Sequence, residues 1–392
     1  MSIDNNNMSM IPYGRQNIST EDIAAVIDVL QSDYLTQGPK VPEFEKKISE
    51  YVGAKFAVAV NSATSALHIA CLALNVQDGD LVWTSPISFV ASANCALYCG
   101  ASIDFIDIDS LTGNISVKAL AIKLANAAIK HSLPKVIIAV HLAGQSCDMQ
   151  EISALTSSYG IKLIEDASHA IGAQYDNHPV GSCRYSDICV FSFHPVKIIT
   201  SAEGGMALTN DAKLVEKLRL YRSHGVVSQS DKMTEPSHGP WYYQQIALGF
   251  NYRMTELQAA LGVSQFERLD TFVGRRNELA KIYDKAFKNT SLRCLIPSNN
   301  KLSAYHLYII LLPNNDEKKH KEAIETLREQ GIFAHVHYIP IHLQPYYQQL
   351  GFKKGDFPNA ENYYLNAISL PLFPDLTAQQ QQYVIDMVKS VL

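Results

Sequence analysis

The stretch Ser192-Phe193-His194-Pro195-Val196-Lys197, closed by Glu203-Gly204-Gly205, brings a hydroxyl, an imidazole and an amine together just past the apolar run Ile188-Cys189-Val190-Phe191. That run reads as a buried strand. A lysine beyond such a strand is usually a solvated loop residue, because lysine is rarely buried unpaired. An amine attacks a carbonyl only when uncharged, however, and desolvation lowers a lysine pKa. Lys197 is therefore a candidate for a Schiff base. Glu165-Asp166-Ala167-Ser168-His169 follows a second apolar run, Leu163-Ile164. Adjacent strand side chains point to opposite faces, so only one of the two acids can easily meet a ligand. A carboxylate against a ring nitrogen keeps that nitrogen protonated and turns a pyridine cofactor into an electron sink. The commoner fate of such an acid is a helix cap or a structural ion pair, and a lone histidine such as His169 is more often structural.

Asn61-Ser62-Ala63-Thr64-Ser65 separates a strand-like run from a helical pattern. A helix N-terminus there exposes N–H groups and about half a positive charge to an anion, although a plain helix cap is the more frequent meaning of such a turn. Phe89, in a turn after a strand, either stacks on a flat ring or packs in the core. Ser192 could donate to the same anion as the turn at Asn61 to Ser65. His335, His337 and His342 surround a proline turn, but without cysteine or a consistent carboxylate they point to no metal site. The chain has no G-x-G-x-x-G, no P-loop and no G-x-S-x-G, so neither a dinucleotide fold nor a serine hydrolase is indicated.

Positioning these groups requires repeated strand–helix units. Phe56 to Val60, Leu81 to Thr84, Ile103 to Ile106, Val136 to Val140, Leu163 to Ile164 and Ile188 to Phe191 read as strands with helical patterns between them. That alternation predicts an α/β fold whose mainly parallel sheet is sandwiched by helices. Ligands in such sheets sit beyond the carboxyl ends of the strands, which places Thr64, Phe89, Asp166 and Lys197 at one mouth. Upstream, Ser19 caps a helix with Ile23, Val26, Ile27 and Leu30 on one face, and Val41 to Val52 carries Phe44, Ile48 and Tyr51. Val226 to Gln245 reads as a loop whose Trp241-Tyr242-Tyr243 forms a lid, a subunit contact or a pinned surface. Downstream come a long helical region, Thr255 to Phe287, a strand over Tyr305 to Leu311, a helix over Lys318 to Gln330 and a strand over Ala334 to Tyr338. Residues 1–10 read as a frayed tail, 11–250 as a large domain with an N-terminal arm, and 251–392 as a smaller α+β lobe.

With 392 residues, 47% of them apolar and 18% charged, the chain can build more than one core. A net charge of -5 offers no basic field for nucleic acid or an acidic membrane. No apolar run approaches the roughly 20 residues needed to span a bilayer. Seven cysteines without a C-x-x-C pair suggest buried thiols in a cytoplasmic protein.

Thr36-Gln37-Gly38-Pro39, Asn61-Ser62-Ala63-Thr64-Ser65-Ala66-Leu67, Glu165-Asp166-Ala167-Ser168-His169-Ala170 and Ser192 to Lys197 resemble the sugar aminotransferases of the DegT/DnrJ/EryC1/StrS family over nearly the whole chain. Further matches at Tyr34 to Pro39, Trp241 to Gln245, Leu248 to Met254 and His337 to His342 resemble the branch serving pseudaminic acid biosynthesis and flagellin glycosylation. The resemblance implies a fold-type-I enzyme with a seven-stranded type of sheet, dependent on pyridoxal 5'-phosphate and working as a homodimer with shared sites. By position, Lys197 would hold the cofactor covalently, Asp166 would meet the pyridine nitrogen, Phe89 would stack on the ring and His169 would lie near the phenolic oxygen. Thr64, Ser65 and Ser192 would hold the phosphate, with Asn251 reaching in from the partner subunit. Tyr13, Asp33, Tyr34, Leu35, Thr36, Ala63, Ser192, Asn251, His337 and Tyr338 would line the nucleotide-sugar site. The implied reaction moves an amino group from L-glutamate, leaving 2-oxoglutarate, to C4 of a UDP-linked 4-keto-6-deoxy-N-acetylhexosamine. Alternatives are another UDP- or dTDP-linked keto sugar, or a non-catalytic sugar-nucleotide binder on the same scaffold. Related sugar 3-dehydratases carry histidine in place of the lysine, so Lys197 favours transamination. Ile198 to Ala202 departs from the Thr-Gly pair of many relatives, which bears only on loop shape.

Overall fold

The structure, a computed structural model, describes residues 10–295, 300–313 and 315–392. Seven strands form the main sheet: β1 Phe56–Val60, β2 Leu81–Thr84, β3 Ser102–Phe105, β4 Val136–Val140, β5 Lys162–Asp166, β6 Ile188–Ser192 and β7 Gly205–Thr209. Their spatial order is β1-β7-β6-β5-β4-β2-β3. All neighbours run parallel except β7, which is antiparallel to both β1 and β6. β7 is not among the strands read from the sequence, because its glycine start and single β-branched residue give a weak signal. Alternate residues feed cores on opposite faces of the sheet. Val58 and Val60 join Leu67, Ile69 and Leu218 on one side, while Ala57 and Ala59 meet Phe44, Ile48 and Phe191 on the other.

Strand pairing supplies the reason the site elements converge. β5 and β6 lie side by side with Asp166 opposite Val190, and Gly205 of β7 stands opposite both Ser192 and Val60. The carboxyl ends of β1, β5 and β6 therefore open at one edge. The smaller lobe has its own antiparallel sheet, Arg293–Cys294, Tyr308–Leu311 and Ala367–Leu370. Ile11–Pro12 pairs in parallel with Ile332–Phe333 of that lobe, which brings the N-terminal arm back across the molecule.

Three expected elements differ. The helical region after Thr255 is two helices, Glu256–Phe266 and Leu269–Phe287, broken at Glu267-Arg268. Residues 334–338 form no continuous strand. Backbone pairing is limited to a single bridge between His335 and Ser369; beyond it the His337 carbonyl accepts from the Tyr363 hydroxyl at 2.8 Å, and the His337 ring bonds the Ser369 hydroxyl at 2.8 Å, so side chains take over from the ladder. In the helix Thr20–Leu30 the apolar residues Ile23, Ile27 and Leu30 are 53%, 44% and 57% exposed. The buried side instead carries Val29 and Asp22, whose carboxylate accepts from Ser264, Gln265 and Arg268 of the helix Glu256–Phe266 and its end.

Candidate active site

A cavity of about 930 Å³ opens at the carboxyl edge of the sheet. One end of it is the N-terminus of the helix Ala63–Ala73, which starts three residues earlier than expected because Ser62 is the cap. Ser62 Oγ accepts from the Ser65 N–H at 3.1 Å, and Ser65 Oγ donates to Asn61 Oδ1 at 2.7 Å. The N–H groups of Ala63 and Thr64 have no intrahelical partner and remain for a ligand. A Cβ on Gly205 would lie 2.5 Å from the Ser62 carbonyl and the Ala63 nitrogen. Glycine is needed there because the strand backbone passes directly under this turn.

β5 separates its two acids. Glu165 turns away from the cavity and accepts from His141 Nε2 at 2.8 Å and Ser186 Oγ at 2.5 Å. Asp166 lines the cavity with a buried carboxylate. Its Oδ2 accepts from Ser92 Oγ at 2.6 Å, Ser88 in turn bonds Ser92 at 2.6 Å, and Oδ1 accepts from Ser168 Oγ at 2.6 Å. These hydroxyls fix the carboxylate, a structure of donors suited to holding a cationic N–H in front of it.

Lys197 sits on a loop closed between β6 and β7. The Phe193 N–H donates to the Gly204 carbonyl at 2.9 Å, while Ser201 N–H and Thr200 Oγ1 both donate to the Phe193 carbonyl at 3.0 Å. Burial in the cavity wall brings the Lys197 amine down to about 8, against the opposing pull of the Asp166 charge. A sizeable fraction of the amine is then neutral near physiological pH. That is the property required of a nucleophilic lysine.

Phe89 is not a core residue: it is 59% exposed, and its ring faces the cavity 6.4 Å from that of Tyr338. His169 is buried, and desolvation together with Lys197 and His337 holds its imidazole well below the usual histidine range. His337 is lowered to about 3 by burial, His335 and Lys197. Tyr13, delivered by the Ile11–Pro12 pairing, packs its ring 4.9 Å from His337. Of the residues singled out in the sequence, Tyr13, Ala63, Thr64, Ser65, Phe89, Asp166, His169, Ser192, Lys197, His337 and Tyr338 all line this cavity.

Asp33, Tyr34, Leu35, Thr36 and Asn251 do not line it within one chain and are exposed. Thr36 pairs with Thr255, and Asn251 with Ser223. His342 lies elsewhere, bonded to Glu361 at 2.9 Å. Ser88, Ser92 and Ser168 support Asp166 without having been read from the sequence. Only the i, i+4 spacing of Ser88 and Ser92 after a strand could have pointed to them, and serines so spaced are common in turns.

The model of the DegT/DnrJ/EryC1/StrS aminotransferase family matches residues 16–389. The UDP-4-amino-4,6-dideoxy-N-acetyl-beta-L-altrosamine transaminase of Campylobacter jejuni is 39% identical over 98% of each chain. The spore coat polysaccharide biosynthesis protein SpsC of Bacillus subtilis is 40% identical over 97% of each. Among solved structures, Helicobacter pylori PseC, described as an aminotransferase involved in the biosynthesis of pseudoaminic acid, superposes with a TM-score of 0.89 at 36% identity, covering 98% of this chain and 99% of that one.

Proposed function

Because this chain belongs to the DegT/DnrJ/EryC1/StrS aminotransferase family, we propose that it transfers an amino group from L-glutamate to C4 of a UDP-linked 4-keto-6-deoxy-N-acetylhexosamine. Family membership makes it an aminotransferase of sugar type and implies dependence on pyridoxal phosphate. The observation that carries the reading is the meeting, in one cavity, of a free helix N-terminus, an exposed aromatic ring, a hydroxyl-bound carboxylate and a lysine of lowered pKa.

These residues fit the cofactor. The Ala63 and Thr64 N–H groups, with the Thr64 and Ser192 hydroxyls, suit its phosphate; Ser65 contributes by shaping the turn rather than by a free hydroxyl. Phe89 suits one face of its ring, and Asp166 would hold a proton on the ring nitrogen. The group supplies, when bound, an electron sink for the pair released as a proton leaves the α-carbon of the amino donor. Lys197 Nζ would take that proton and return it at the carbon on the other side of the donor nitrogen, a 1,3-shift that its low pKa suits. The sugar's preference for this chain rests on its likeness to the altrosamine transaminase and PseC.

The test is incubation of purified protein with L-glutamate and a panel of UDP- and dTDP-linked 4-keto sugars, followed by mass spectrometry of the products. A 4-amino sugar from the UDP-N-acetyl substrate supports the proposal. Preference for a dTDP sugar would reassign the substrate. Borohydride reduction should fix the cofactor on the peptide containing Lys197, and a colourless protein that binds sugar nucleotides without amino transfer would overturn the catalytic reading.

A further inference from the structure

Three of the seven cysteines meet between two helices that both begin at the cavity. The helix Ala63–Ala73 carries Ser65, His68 and Cys71 one turn apart, and the helix Ala91–Tyr98 carries Ser92 and Cys95, with Cys99 at its end. Spacings of three and four residues put each series on one side of its helix. The two sides face each other: Cys71 Sγ donates to Cys95 Sγ at 3.8 Å and also bonds the Cys99 sulfur. Both series run forward to the site, where Ser65 shapes the turn at the helix N-terminus and Ser92 donates to Asp166 at 2.6 Å. Cys95 is joined to that serine directly, its Sγ donating to the Ser92 carbonyl at 3.4 Å.

The three thiols are unequal. Cys71 and Cys95 are fully buried. Cys99 is half-buried, between the exposed Tyr98 and Gly100, and Gly100 ends the helix with φ 78°. Bonds from Cys71 and His68 bring the Cys99 thiol down to about 6, while the bonds of Cys71 to Cys95 and Cys99 push Cys71 well up. His68 is held for this contact. Its Nδ1 lies 3.2 Å from the Tyr252 hydroxyl, and its ring packs 5.4 Å from that of Tyr98 and 4.7 Å from that of Phe250. The other ring nitrogen is left for the sulfur. Elsewhere burial pushes the thiols of Cys183, Cys189 and Cys294 up. A thiolate that solvent can reach, with a second thiol beside it, combines the two features of a cysteine that oxidises and is then resolved.

We propose that Cys99 is a site of oxidative modification by hydrogen peroxide, and that Cys71 closes it as a disulfide between the two helices. The Cys99 thiolate attacks one peroxide oxygen, the O–O bond breaks, and a sulfenic acid forms as hydroxide leaves. The Cys71 thiol then gives up its proton and attacks the Cys99 sulfur; an S–S bond forms, the S–O bond breaks and water leaves. The sulfurs together lose two electrons and the peroxide gains them. A disulfide of about 2.05 Å is much shorter than the thiol contact in this cluster, so closure draws the rear of the two helices together. Each helix moves as a unit, and the shift reaches the Ser62–Ser65 turn and Ser92 at the front. The oxidised chain therefore binds the cofactor more weakly.

The effect on the cofactor rests on the aminotransferase reading; the thiol chemistry does not. The full chain would be treated with hydrogen peroxide, blocked with N-ethylmaleimide, digested without reduction and read by mass spectrometry. A peptide pair joined through Cys71 and Cys99, and separated by dithiothreitol, is expected. In Cys71→Ala, dimedone present during oxidation should label Cys99. Oxidation confined to other cysteines, a Cys71 disulfide that still forms in Cys99→Ser, or a wild-type chain that stays reduced would overturn the proposal. By fluorescence titration the oxidised wild type should bind pyridoxal phosphate several-fold more weakly and recover once dithiothreitol has been added and removed, while peroxide-treated Cys99→Ser keeps its affinity. A disulfide that leaves the affinity unchanged would overturn the link between the thiols and the site. A reduced wild type without aminotransferase activity that still forms the Cys71–Cys99 bond would sink the functional reading and leave the modification site standing.

Discussion

Lys197 is where burial becomes chemistry. Its pKa is brought to about 8 chiefly by desolvation, with Asp166 pulling the other way. Below that value the amine is charged and inert toward an aldehyde; above it the amine is free. Cofactor-free protein should therefore combine with pyridoxal phosphate faster as pH rises, levelling above about 8. Stopped-flow absorbance would measure the profile, and a rate flat across neutral pH would contradict the assignment. Asp166→Asn removes the charge that favours the ammonium form, so the midpoint of the same profile should fall. The serines that hold Asp166 mark a limit of reading by residue type: Ser88, Ser92 and Ser168 are ordinary in sequence and become specific only when the fold turns their hydroxyls onto one carboxylate.

At the scale of elements, the turn between β1 and its following helix depends on a cap and on a glycine from another strand. Ser62→Ala should cost about 1 kcal/mol by loss of the cap, readable from urea denaturation. Gly205→Ala should cost about 1–3 kcal/mol through overpacking, and it should weaken cofactor binding more than Ser62→Ala, because its Cβ would press on the Ser62–Ala63 peptide itself. Fluorescence titration with pyridoxal phosphate separates the two effects; equal affinities in both variants would argue against the turn as the phosphate cradle. The six parallel strands were readable because they are short apolar runs between helical patterns. β7 was not, since its antiparallel place between β1 and β6 is set by pairing rather than by propensity. The expected strand over Ala334 to Tyr338 failed for a related reason: backbone pairing with the strand Ala367–Leu370 stops at one bridge, His335 with Ser369, and beyond it the Tyr363 and Ser369 side chains bind His337 instead.

The whole molecule leaves Ile23, Ile27, Leu30, Tyr34, Leu35, Trp241 and Leu248 exposed in a single chain. Asn251 and the segment Asp33 to Thr36 also stand outside the cavity to which the family resemblance assigns them. A homodimer in which each chain completes its partner's site accounts for both facts, and it makes a sharp forecast. Lys197→Ala and Asn251→Ala variants, each inactive alone, should regain about a quarter of wild-type activity when co-expressed in equal amounts, because half the dimers are mixed and each carries one intact site. Analytical ultracentrifugation would confirm the assembly state. Failure to complement in a verified dimer would place Asn251 in the site of its own chain or outside both.

What the sequence determined by itself was the inventory and its order: alternating strands and helices, an anion turn, an aromatic residue, an acid and a lysine at successive strand ends. These are local properties, carried by periodicity and by residue type, and they survive without knowledge of any contact. Only the tertiary structure decided which of Glu165 and Asp166 faces the ligand, why Gly205 must lack a side chain, and that Cys71, Cys95 and Cys99 meet as one cluster. Each of those depends on groups far apart in the chain meeting within hydrogen-bond distance. Hydrophobic patterning specifies that elements pack, but which side chains then bond is fixed by the last few tenths of an ångström of that packing.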